Sequence, residues 1–176
     1  MFLIKATDHP FGAIPYDGVL SVQGYSKDGA AVAIYPGDFV IMETDGGIGV
    51  AVTGSTNIIG VAAEYSAVST AKTDFLVYDH PEQKFAIQDD ADTTGMTEAS
   101  IGNNANITVT TGNTTTLRSQ HEIDSSTSAT TATLALKILG LHPIENRSFA
   151  SSTGTWRTWV VKINNHFWSA YQQVGV

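Results

Sequence analysis

The chain reads as an all-β protein: a predominantly antiparallel β sandwich or barrel with long polar loops and an extended N-terminal segment. Three observations predict this. Apolar residues recur at every second position, Gly, Pro, Asn and Asp cluster between the apolar runs, and helical spacing is thin throughout. Successive strand side chains point to opposite faces, so a period of two lays one apolar row against a core. Short strands with frequent turns are the pattern of sandwiches and barrels. The 176 residues suit one domain that can bury a sizeable core.

The elements follow in chain order. Residues 1–30 hold aromatic and apolar side chains broken by Pro10, Pro15 and several glycines. They form either an N-terminal arm or an irregular first segment, and residues 31–176 form a single β domain. Pro36-Gly37-Asp38 turns the chain into Phe39-Val40-Ile41-Met42, which is apolar throughout and is predicted to be buried on both faces. Asp45-Gly46-Gly47 predicts a tight hairpin, after which Ile48, Val50 and Val52 alternate with Gly49, Ala51 and Thr53. Ile59, Val61, Ala63 and Tyr65 continue the alternation. Asp79-His80-Pro81-Glu82 separates a strand at Phe75 and Val77 from one at Phe85 and Ile87.

Residues 89–131, rich in Thr, Ser, Asn and Asp, predict long polar loops around a strand at Ile107 and Val109. Within them Thr97-Glu98-Ala99-Ser100 suits one helical turn, and Gly112-Asn113 turns the chain. Leu134, Ile138 and Leu141 have helical spacing, but Leu134, Leu136 and Ile138 also alternate. The preceding Thr130-Thr131-Ala132-Thr133 favours the strand, because β-branched residues suit a pleated surface. Trp159, Val161 and Ile163 mark the last strand.

Charge restricts the partners. Charged residues make up 15% of the chain, and 9 basic against 17 acidic residues give a net charge of −8. Phosphate binding needs clustered Lys and Arg, so nucleic acid is not expected as a partner, nor is an anionic membrane surface. No run approaches the roughly 20 apolar residues of a bilayer span, and the apolar start before Lys5 is too short for a signal-peptide core. Cysteine is absent, which excludes disulfides, thiolate zinc sites and cysteine nucleophiles. Asn106, Asn113 and Asn146 open N-x-Ser/Thr triplets, which chance explains in a Thr-rich chain without a secretion signal.

No enzyme is expected from these residues. Asp90-Ala91-Asp92-Thr93-Thr94-Gly95 resembles the opening of a calcium loop, but its twelfth position is Ile101 where a bidentate Glu belongs, and no helix pattern flanks it. It reads as an acidic solvated loop. His9, His80, His121, His142 and His166 are scattered, without the i, i+4 spacing of a helical zinc pair. His80 beside Asp79 and His121 beside Glu122 read as turn or surface residues. There is no Gly-x-Ser-x-Gly elbow, phosphate-binding Gly-Lys-Ser/Thr loop or dinucleotide fingerprint. No cofactor and no metal are expected.

Aromatic residues gather near the C-terminus: Trp156, Trp159, Phe167, Trp168 and Tyr171. Trp156 and Trp159 are three apart, so on one strand they face opposite sides and one of them lies outside the core. Aromatic residues outside a core often mark interfaces. Trp156, Trp168 and Tyr171 are therefore candidates for a subunit interface, with a sugar-stacking platform as the other reading.

The order of several segments resembles a known family. Tyr35-Pro36-Gly37-Asp38-Phe39-Val40 is followed by Ile59-Gly60-Val61-Ala62 and by Val77-Tyr78-Asp79-His80-Pro81-Glu82-Gln83-Lys84-Phe85-Ala86-Ile87-Gln88. Ile101-Gly102-Asn103-Asn104-Ala105, the segment from Ser119 to Asp124, Leu136-Lys137-Ile138-Leu139-Gly140-Leu141 and Trp159-Val160-Val161-Lys162-Ile163-Asn164 continue the order. This succession, over most of residues 35–166, resembles the head decoration (cement) proteins of tailed bacteriophages. The resemblance implies a non-enzymatic virion protein, made in the host cytoplasm, that binds the outer surface of the capsid and stabilises it. It also implies a homotrimer whose partner is the major capsid protein. Residues 1–30 match no motif of that family.

On this reading residues 1–20 lie as an extended segment over neighbouring capsid subunits, by strand addition and apolar anchors. Phe2, Ile4, Phe11, Ile14 and Tyr16 are the candidate capsid contacts. The alternative reading is a receptor- or carbohydrate-binding module of a phage tail or fibre, suggested by the C-terminal aromatic residues and the Thr/Asn-rich loops.

Overall fold

The computed structural model describes residues 8–27, 32–68, 74–91, 95–145, 156–169 and 175. Among them are eleven strands: Ile14–Tyr16 (β1), Gln23–Ser26 (β2), Phe39–Met42 (β3), Ile48–Val50 (β4), Ile58–Ala62 (β5), Asp74–Tyr78 (β6), Lys84–Gln88 (β7), Asn104–Thr108 (β8), Glu122–Ala129 (β9), Leu136–Leu141 (β10) and Thr158–Ile163 (β11). All named strand pairs are antiparallel. They form a six-stranded sheet, β1-β7-β11-β10-β8-β9, and a five-stranded sheet, β2-β6-β5-β3-β4. The protein is an all-β sandwich, as the period of two predicts. No helix among the described residues is long and apolar enough to cross a membrane.

Each sheet curls until its far strand meets the chain beyond a strand near the opposite edge. In the larger sheet Asp89, just after β7, pairs with Ile123 of β9, and the Asp90 N–H donates to the Ile123 carbonyl at 3.0 Å. In the smaller sheet Lys27, just after β2, pairs with Ile48 of β4. The curl gives two apolar clusters. The first lies between the sheets and holds Phe39, Ile58, Val61, Phe85, Ile87, Ile107, Ile138, Trp159 and Val161. The second lies on the other face of the smaller sheet and holds Ile34, Val40, Ile48, Ile59, Ala62, Phe75 and Val77.

The smaller sheet is thus buried on both faces at its inner strands β3 and β5, which explains their apolar sequences, whereas β2 and β6 keep an exposed face. In β3, Phe39 enters the first cluster and Val40 the second, both fully buried, while Ile41 and Met42 are half-buried. In β5 all five residues are buried. Ile58 and Val61 share the first cluster although their spacing of three breaks the pleat. A register shift opposite Val40 and Ile41 inserts the extra residue that permits this. The alternation read at Ile59–Tyr65 stops at Ala62, and Val52, read as the third position of the next strand, is 62% exposed and lies beyond β4.

Three sequence expectations are met locally. Asp45-Gly46-Gly47 closes the β3–β4 hairpin, with the Glu43 N–H donating to the Gly47 carbonyl at 2.8 Å. Glu98–Ser100 forms one 3₁₀ turn, and residues 136–141 form a strand. A fourth expectation is corrected. The stretch 89–131 is not loop around one strand, because it contains β9, the longest strand described at 8 residues. Its sequence, Glu-Ile-Asp-Ser-Ser-Thr-Ser-Ala, has one large apolar residue, Ile123, so its hydrophobic pattern is almost silent. Pairing with β8 and its Ser and Thr residues make it a strand.

Candidate functional site

The surface that the N-terminal segment builds begins at Pro36-Gly37. The Ala13 N–H donates to the Gly37 carbonyl at 2.9 Å, the Gly37 N–H to the Ala62 carbonyl at 2.9 Å, and the Ser119 N–H to the Pro36 carbonyl at 3.1 Å. Asp38 braces the turn by accepting the Tyr35 N–H at 2.8 Å. Gly12 has φ +72, and a Cβ there would collide with Ser119. Ala13 is buried in the main cluster. Four distant stretches therefore meet at one turn and pin residues 12–13 to the body.

From this anchor the chain runs along the open side of the sandwich. β1 pairs with β7 at the edge of the larger sheet, and β2 pairs with β6 at the edge of the smaller one. The link between them is held by Gln83, which is 1% exposed. Its Nε2 donates to the Gly18 carbonyl at 2.9 Å, and its Oε1 accepts the Leu20 N–H at 2.8 Å. With the backbone held inward, the side chains face out: Ile14 is 41% exposed, Val19 52%, Leu20 56% and Val22 40%. Beside them lies a groove of about 360 Å³ whose wall includes Phe11, Ile14, Tyr78 and Leu117.

The candidate capsid contacts divide accordingly. Ile14 is exposed on this side, and Phe11 is half-buried in the groove. Tyr16 is half-buried, its ring edge-on to His142 with centroids 5.2 Å apart. Phe2 and Ile4 lie outside the described residues. Val19, Leu20 and Val22 were not singled out in the sequence. Their signal was an apolar run beside Gly18 with no partner row to face.

The C-terminal aromatic residues also separate. Trp159 is fully buried in the main cluster. Trp156 is half-buried but precedes β11, so the two-face argument does not apply to it. Trp168 is 55% exposed and Phe167 43%, with their rings edge to face at 4.8 Å. Tyr171 lies outside the described residues.

Two buried histidines each accept a backbone N–H. His121 is not a surface residue: it is 1% exposed and stacks on Phe39 with centroids 6.2 Å apart. Its Nδ1 accepts the Phe39 N–H at 3.2 Å, which assigns its proton to Nε2, 3.4 Å from Asp38 Oδ1. Burial holds its pKa below the ordinary value, against the pull of Asp38. His166, 4% exposed, repeats the device: its Nδ1 accepts the Trp168 N–H at 3.1 Å, and burial pushes its pKa down to about 4. The acceptor nitrogen of each ring is occupied by a backbone N–H, so each imidazole acts as a neutral brace.

The seam where β9 meets the end of β7 is acidic. Asp89 is fully buried and accepts the Arg157 N–H at 2.7 Å and the Trp159 indole N–H at 3.0 Å, and burial raises its pKa to about 6. Asp90 accepts from the hydroxyls of Thr108, at 2.8 Å, and Ser125, at 2.7 Å. Glu122 beside them is raised to about 8, first by burial and then by Asp8, Asp90 and Asp89. Of the segment resembling a calcium loop, Asp92, Thr93 and Thr94 lie outside the described residues. Among the described residues no group of three or more His, Asp or Glu side chains could hold a metal ion.

No family model, curated protein or solved structure matches this chain.

Proposed function

We propose that the protein is a non-enzymatic structural protein of a tailed-bacteriophage virion that binds the outside of the capsid and stabilises it. The observation that carries the reading is the open side of the sandwich, where Ile14, Val19, Leu20 and Val22 stand exposed on a backbone clamped by Gln83. Exposed apolar patches mark interaction surfaces, and unpaired sheet edges accept further strands. The partner on this reading is the major capsid protein. A cement bridges subunits of an assembled shell, so its binding stabilises the assembled state by mass action. The segment order that resembles the decoration family agrees with it.

The fold changes how the contact is to be tested. Removing residues 1–16 would also remove β1 and buried Ala13, and so would damage the body. Single exposed side chains are better targets. Leu20→Asp and Val19→Asp should leave the melting temperature within about 2 °C of the parent, as exposed substitutions usually cost under about 0.5 kcal/mol. They should abolish co-sedimentation with purified particles stripped of the protein. Undiminished binding by both variants would refute the surface. Quantitative mass spectrometry of purified virions tests the role itself: hundreds of copies per particle fit decoration, a handful fits the tail or fibre reading, and none refutes both.

A further inference from the structure

A second cavity, of about 340 Å³, lies where the two sheets meet, between β4 with its continuation to Val52 and the loop that follows β8. Its wall is mostly apolar and includes Val32, Ile48, Val50, Val52 and Val109. Val32 is 52% and Val52 62% exposed, so the rim is apolar as well. Lys27 is also in the wall, and its ammonium donates to the Ala67 carbonyl at 2.7 Å. The wall also holds His121 and two carboxylates: Asp38, which is buried and accepts the Tyr35 N–H, and Glu43. The half-buried Glu43 carboxylate lies over β4, in space that a Cβ at Gly49 would fill. No donor among the described residues reaches that carboxylate. The cavity is at the small end of the range for ligand clefts, about 300–1,000 Å³. It suits one large side chain better than a cofactor.

The same chain carries a matching projection. Phe167 and Trp168 stand exposed as an edge-to-face pair. The Trp168 indole N–H reaches Tyr25 Oη only at 3.4 Å, beyond the usual range of such bonds. A buried indole seeks a hydrogen-bond acceptor, and a carboxylate is a strong one.

We propose that Trp168 of one copy seats in the valine-rimmed cavity of a second copy, with its indole N–H on Glu43. The occupant is thus a second copy of this chain. Projection and cavity are different surfaces, so the contact is heterologous: it joins copies head to tail and closes as a ring when the rotation permits. In expecting a closed ring, the inference deepens and rests on the homotrimer of the decoration reading.

Complementation tests it. The purified wild-type chain should sediment at a multiple of 18.7 kDa. Trp168→Ala and Val52→Asp should each sediment as a single chain. Mixed one to one, they should form a complex of two chains and nothing larger, because only one intact projection and one intact cavity remain to pair. Val32→Asp serves as a second cavity variant, and circular dichroism checks that each variant is folded. A monomeric wild type, a variant that keeps the wild-type mass, or folded variants that fail to pair on mixing would each overturn the contact. A monomeric wild type that still coats particles would sink the ring and leave decoration standing. A ring absent from virions would do the reverse.

Discussion

Replacing His166 with Asn should alter the acid limb of the stability curve. His166 is almost fully buried, and Asp79, His80 and Glu82 are the charged groups around it. Its Nδ1 accepts the Trp168 N–H, and an Asn side-chain oxygen can take that place. The packing lost with the ring is lost at every pH, so the pH dependence reports the titration alone. In the unfolded chain the imidazole gains a proton near its ordinary value of 6.5, whereas in the fold it does so only near 4. Between those limits the unfolded state binds one more proton, so stability falls as pH falls. The stabilisation is complete above pH 6.5 and is lost on the way down to 4. At about 1.36 kcal/mol for each pH unit of that gap, the whole effect is about 3 kcal/mol. Urea unfolding followed by tryptophan fluorescence, at pH 7, 6, 5 and 4.5, gives both curves. Asp89 and Glu122 also titrate, but they are common to both proteins and cancel in the difference. The wild type should lose about 2 kcal/mol or more relative to His166→Asn between pH 7 and 4.5. Parallel curves would refute the view of His166 as a buried neutral brace.

Two further outcomes follow from the packing. Glu122→Gln should raise the urea midpoint at pH 9 and leave it unchanged near pH 4.5. The folded state holds the Glu122 proton up to about pH 8, so stability falls as pH rises from 4.5 through 8. Allowing for its partial exposure and solvent screening, the gain should be about 1–2 kcal/mol; an unchanged midpoint at pH 9 would show that the acidic seam is well solvated. Gly12→Ala should lower the melting temperature by several degrees, because the left-handed backbone alone costs about 1–2 kcal/mol and the new methyl group meets Ser119. Pairing it with Ser119→Gly should restore only part of the loss, because the left-handed backbone and the close Gly37 carbonyl remain; no recovery at all would refute the collision with Ser119.

What was legible in the sequence is what local pattern carries. Pleat and period place apolar residues on one face of a strand, and so the strands at Phe39, Phe75, Phe85, Ile107, Ile138 and Trp159 could be read without a fold. The Asp45-Gly46-Gly47 hairpin could be read for the same reason, since a turn depends on the residues within it. Burial on both sides of the smaller sheet's inner strands was readable at β3, where four apolar residues are consecutive. It was not readable at β5, where a bulge shifts the register.

The rest was decided by pairing across the chain. β9 is a strand because β8 and the end of β7 offer it hydrogen bonds, while its Ser and Thr residues give almost no hydrophobic period. His121 looked like a surface residue beside Glu122, yet the Phe39 N–H and Asp38, some eighty residues away, hold it in the core. The N-terminal segment joins two sheets because β6 and β7 leave an edge in each. Val19, Leu20 and Val22 become a surface only through the inward hold of Gln83. A polar side chain is buried when a partner awaits it, and an apolar one is exposed when its backbone is held elsewhere. Both conditions depend on residues far along the chain, so no local pattern can state them.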